Sequence, residues 1–64
     1  METSCEKMKR LRGNRSQAQV AEALGIAPST YASYEQGTRE PKDYMKRKIA
    51  DYYKRTVQYI FFSD

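Results

Sequence analysis

The run QAQVAEALGIAPSTYASY, residues 17–34, decides how this chain is read. Val20, Ala21 and Leu24 recur at the spacing of one helical face. Gly25 follows them and can take the left-handed backbone that ends a helix cheaply. Pro28 suits the first turn of a second helix, where a missing N–H costs nothing. Ile26, Tyr31 and Tyr34 continue the apolar pattern into that helix. Two short helices joined by a tight glycine turn make a helix-turn-helix unit over about 17–36. Its second helix is the one that enters a DNA major groove.

Ala21 has to be small, because the second helix of the unit crosses close to the first there. Val20, Leu24, Ile26, Tyr31 and Tyr34 fill the wedge between the two. Each tyrosine ring packs while its hydroxyl seeks water or a polar partner.

Outward from this unit, the whole chain reads as helical. Residues 1–3 are expected to fray. Ser4 is expected to cap a first helix reaching about Arg12, with Cys5, Met8 and Leu11 inward. Gly13 and Asn14 break it, and Ser16 caps the next helix. Gly37 ends the helix that Pro28 begins. A loop over 38–41 follows, since Pro41 disfavours helix just before it. A fourth helix is predicted over about 42–53, facing inward with Met45, Ile49, Ala50 and Tyr53. Lys54 and Arg55 interrupt the pattern, and Thr56 caps a short fifth helix over about 57–62. The fold class is therefore all-α: five helices in one domain, residues 1–64.

Composition narrows the function. A chain of 64 residues buries only about 60% of its unfolded surface, which leaves little room for an enzyme cleft. The net charge of +4 favours an anionic partner. The chain has no histidine and one cysteine, Cys5. That excludes an intrachain disulfide, a Ser-His or Cys-His nucleophile pair and the common zinc spacings. No enzyme activity, cofactor, metal or small-molecule substrate is expected. No apolar run approaches the roughly 20 residues of a membrane span, and no signal-type run opens the chain. A cytoplasmic protein without a membrane partner is expected.

The run LRGNRSQAQVAEALGIAPSTYASYEQGTREP, residues 11–41, resembles the helix-turn-helix domain of the lambda-type repressor and Cro superfamily. The resemblance rests on Gln17, Ala21, Gly25, Glu35, Gly37 and Pro41, in order and at the family's spacing. The tail KIADYYKRTVQYIFF, residues 48–62, is similar to the last two helices of small members. The resemblance implies a five-helix DNA-binding fold and a transcriptional regulator. Arg15 and Arg55 stand where the family often has apolar residues, which predicts a looser corner near Arg15. The stem of Arg55 would still cover the core.

The resemblance also implies residue roles. Pro28, Ser29 and Ser33 face the bases, with Thr30 and Ala32 beside them. Serine hydroxyls bond to several bases, and Pro28 or Ala32 packs on a thymine methyl. Such short side chains leave much of the specificity to groove shape and water. Gln17 opens its helix where free N–H groups and the dipole attract a phosphate. Gln36, Thr38, Arg39 and Lys42 follow along the DNA strand, with Arg39 as the leading phosphate clamp. Arg12 and Arg15 are further candidates for the flanking backbone. Arg10 is expected to pair with Glu35, tying the DNA-reading helix to the scaffold. Lys42, Lys46, Arg47 and Lys48 could form a second DNA surface, but they spread around their helix and read instead as a solvated or dipole-compensating face.

Six of the eight aromatics lie after Pro41. Ile60 and one or two rings should close the core, and the remainder should form an exposed apolar patch. Because operators for this fold are often paired half-sites, a homodimer through Tyr59, Ile60, Phe61 and Phe62 is expected, with double-stranded DNA as its partner. The competing reading is a tail that folds back on a monomer, which dimerises only on DNA. The leading expectation is a repressor of phage, mobile-element or small-operon type that occludes a promoter. The alternative is a protein-binding module, an antitoxin or antirepressor partner that uses the tail. A regulatory partner protein fits either.

Overall fold

The computed structural model describes residues 2–62, so the expected fraying of Met1 lies outside the described residues. Four α-helices follow in order: α1 (Ser4–Arg12), α2 (Gln17–Leu24), α3 (Pro28–Gln36) and α4 (Asp43–Tyr53). A single π turn, Gln58–Phe62, closes the chain. No strand occurs among the described residues.

Helix starts follow local hydrogen-bond chemistry. Thr3, not Ser4, caps α1: its hydroxyl accepts from the Glu6 N–H at 3.2 Å. The Glu6 carboxylate accepts from the Thr3 N–H at 2.8 Å. The residue three places beyond Ser4 is Lys7, which cannot return such a bond, so the reciprocal box selects Thr3. Thr3 is thus anchored instead of frayed. Ser16 and Gln19 form the same box at the start of α2, at 3.0 and 2.8 Å. Lys42 is the N-cap of α4 and lies outside the helix proper.

Three helices end in one way. Gly25 at φ 75° and Gly37 at φ 81° are left-handed. Ile26 N–H reaches Ala21 O at 3.0 Å, and Thr38 N–H reaches Ser33 O at 3.1 Å. These are the backward bonds of a Schellman ending. Helix α4 closes likewise, with Arg55 N–H on Ala50 O at 2.9 Å. Its left-handed residue is Lys54, at φ 58°, where a Cβ is a burden.

The core gathers Met8, Val20, Ala21, Leu24, Tyr31, Tyr34, Met45, Ile49, Ala50, Tyr53 and Ile60. The predicted inner face of α4 is therefore buried as read. Leu11 and Ile26 are half-buried against it. The predicted fifth helix is present, and it winds as a π turn over Gln58–Phe62. So short a segment gains little from helix cooperativity, and packing decides its winding. Thr56 still starts it, accepting from the Tyr59 N–H at 3.0 Å. Ile60 is only 1% exposed, so this member of the expected dimer surface is part of the protomer's own core. Phe61 is half-buried and Phe62 remains exposed.

Replacing Lys54 by glycine removes the Cβ strain but adds freedom to the unfolded chain. The expected net gain is about 0.5–1 kcal/mol, a Tm rise of a few degrees by calorimetry. An unchanged or lowered Tm would contradict the strain argument.

Candidate nucleic-acid interface

The turn between α2 and α3 is tight because Gly25 bends it and a lysine caps it. Lys48 Nζ, from α4, donates to Leu24 O at 2.7 Å. That bond satisfies a carbonyl at the end of α2 and ties the two-helix unit to α4. Ala21 has no exposed surface, and Tyr31 is equally buried. Close crossing of α2 and α3 needs both the small side chain and the filled wedge.

Beneath this crossing lies a polar network centred on Glu35, which is 1% exposed. Its carboxylate accepts from Arg12 Nε at 2.8 Å and from a second Arg12 nitrogen at 3.2 Å. Gln17 Nε2 donates to the same carboxylate at 2.9 Å. The Arg10–Glu35 pair expected from the sequence does not form. Arg10 instead donates to Glu2, at 2.7 and 3.0 Å, and to the Tyr59 hydroxyl at 2.7 Å. Both arginines lie on α1, and only Arg12, at its last turn, reaches the buried carboxylate.

Burial pushes the Glu35 carboxyl up, but bonds from Gln17, Tyr31 and Arg12 together hold it below its ordinary value. The Tyr31 and Tyr53 hydroxyls share a 2.6 Å bond inside the core. Burial raises both phenols above their usual value, with the bond to Tyr53 adding to the rise at Tyr31. Among the described residues no buried side-chain nitrogen or oxygen lacks a partner. Arg15 does not loosen its corner. It donates to Arg12 O at 3.1 Å and Leu11 O at 2.7 Å, ending α1. Its guanidinium also lies 5.1 and 5.2 Å from the Tyr52 and Tyr53 ring centres.

The expected DNA-facing residues divide by exposure. Pro28 and Ser29 are exposed at the start of α3, while Thr30, Ala32 and Ser33 are half-buried. The Ser33 hydroxyl donates to Thr30 O at 2.6 Å, so only its acceptor side is left for a base. Gln36, Thr38, Arg39 and Lys42 are exposed beyond α3. The Thr38 hydroxyl turns back to Ser33 O at 3.3 Å. Gln17 is half-buried, with its amide on Glu35. A groove of about 400 Å³ brings Thr30, Arg39 and Lys42 together with Glu40 and Tyr44. Tyr44, 59% exposed, is one of the six aromatics after Pro41. Its separation from the tail rings needs the path of α4.

The basic residues also divide. Lys7 donates to Tyr59 O at 2.7 Å. Lys46 is 7% exposed, not solvated as expected, and Lys48 holds the turn. Arg55 is exposed and donates to Lys54 O at 3.1 Å. Arg39 and Lys42 have no side-chain hydrogen bond or ion pair among the described residues, so their charge faces outward undivided. Among the described residues no acidic, cysteine or histidine cluster could hold a metal, and no helix is long and apolar enough to cross a membrane.

Residues 7–60 match the family model described as helix-turn-helix. With the fold above, this defines the class: a DNA-binding helix-turn-helix domain. More narrowly, the chain belongs to the lambda-repressor and Cro type of that family, which is a family of DNA-binding regulators. Comparison with curated proteins and with solved structures gives no match.

Because its folded pKa is lowered, Glu35 contributes stability that is fully present above its unfolded pKa of about 4.3. That contribution disappears as pH falls through the lower folded value. Glu35→Gln should cost about 2–4 kcal/mol near neutral pH, since it strands Arg12. In urea unfolding at a series of pH values, the gap to wild type should close in acid. A gap that stays constant with pH would show that Glu35 is not ionised in the fold.

Proposed function

We propose that this domain is a sequence-specific repressor that binds an operator as a homodimer and covers promoter DNA. The observation that carries the reading is the shared groove. Arg39 and Lys42, with uncommitted cationic heads, flank the same surface as Thr30, beside the exposed start of α3. Phosphate contacts from that pair set register, and short side chains on α3 read base edges. Pro28, Ser29, Thr30 and Ser33 are the proposed readers. Gln36, Thr38, Arg39 and Lys42 are the proposed backbone contacts; Gln17, whose amide is held by Glu35, joins them only through the N–H groups of its first turn. Tyr44 lines the same groove and joins them.

The proposed dimer surface is narrower than the tail as a whole. Phe62 is 62% exposed and lines an apolar groove with Val57, Asp43, Lys46 and Arg47. Tyr59 is already engaged by Lys7 and Arg10, which leaves Phe62 and the free side of Phe61 for a second copy. The same exposed ring supports the second reading, a protein-binding module whose partner covers Phe62.

Selection from a random duplex pool, followed by anisotropy titration at two salt concentrations, tests the regulator reading. An inverted repeat bound far more tightly than scrambled DNA is the expected outcome. Weak, salt-erased binding without a motif would favour the protein-binding module. Arg39→Ala should weaken binding to every duplex and reduce the salt slope by about one. An unchanged affinity and slope would remove Arg39 from the clamp. Phe62→Ala should shift sedimentation toward monomer, whereas an unaltered distribution would exclude Phe62 from the dimer surface.

A further inference from the structure

Lys46 is a buried cation that the reading above does not use. It sits one turn beyond Lys42 on α4, only 7% exposed. Its ammonium lies 3.1 Å from Glu40 Oε1. It also lies 4.9 Å from the Phe62 ring centre and 5.6 Å from that of Phe61. A cationic side chain buried to this extent needs compensation, and here one carboxylate and two rings provide it.

Glu40 is the telling partner. Its side chain is 81% exposed, so it does not need Lys46 for its own solvation. It stands, however, between Arg39 and Lys42 in sequence and lines the same groove. A free carboxylate there would oppose the phosphates that the two cations attract. The pair is therefore lopsided: a buried cation is held against an exposed anion, at the place where an anion does most harm to DNA binding.

We propose that Lys46 is a positioning residue for DNA binding, which neutralises and holds Glu40 where it lines the groove beside the phosphate path. This rests on the reading of the groove as a DNA surface. Lys46 does not touch DNA; it acts through Glu40. The rings of Phe61 and Phe62 hold Lys46 in place, so the tail contributes to the charge seen by the DNA strand.

The test compares Lys46→Met, Glu40→Gln and the double variant by anisotropy. The probes are a fluorescein-labelled duplex recovered by the selection and a scrambled duplex of equal length. Methionine keeps the apolar stem, and circular dichroism checks that each variant is folded. Lys46→Met should weaken binding of both duplexes about tenfold at low salt, and less at high salt, where repulsion is screened. Adding Glu40→Gln should restore affinity to within about twofold of wild type. A role in folding alone predicts no such rescue, so a loss that persists in the double variant would overturn the proposal. So would Lys46→Met binding within about twofold of wild type. If wild-type protein binds neither duplex, it is the DNA reading beneath the proposal that falls.

Discussion

A carboxylate without access to water must find donors, and Glu35 finds them on two other helices. Arg12 comes from the end of α1 and Gln17 from the start of α2, while Glu35 itself lies on α3. Leaving any of these groups unpaired inside the fold would cost far more than the pair is worth on balance. The network therefore acts as a constraint on geometry. The three helices have one mutual arrangement in which all the donors are satisfied. The Tyr31–Tyr53 bond extends that constraint to α4. The exposed start of α3 is presented at a fixed angle because its buried last turn is held from several sides.

The same economy governs the basic residues. A count of charges suggests a broadly cationic surface, but the fold assigns many of them to internal work. Lys7, Arg12, Arg15 and Lys48 satisfy carbonyls or a buried carboxylate, and Lys46 lies among rings. Their donors are spent inside the fold, and among the described residues Arg10, Arg12 and Lys46 are paired with carboxylates. Arg39 and Lys42 are among the exposed cations left for a polyanion, and they share one groove with the start of the DNA-reading surface proposed on α3.

Much of the fold could be read locally. The boundaries of α2 and α3 followed from Ser16, Gly25, Pro28 and Gly37, because capping and left-handed backbone are properties of a few adjacent residues. The inner face of α4 followed from helical spacing. The readings that failed involve distance. Arg10 and Arg12 are both basic residues late in α1, and nothing local says which one reaches Glu35. Ile60 and Phe62 are both apolar residues of the tail, and only the packed structure separates a core residue from an exposed one. Arg15 looked like a misplaced charge until the carbonyls of α1 and the rings of α4 surrounded it.

The amino-acid sequence by itself determined the helices, their turns and the family. Those depend on interactions between near neighbours along the chain, which are written in order and spacing. The tertiary structure alone decided which arginine serves Glu35, which lysines are spent internally, and that Glu40 stands in the groove under the hold of Lys46. These are choices among chemically similar groups, and they are made by distance and burial, which arise only when remote segments pack together.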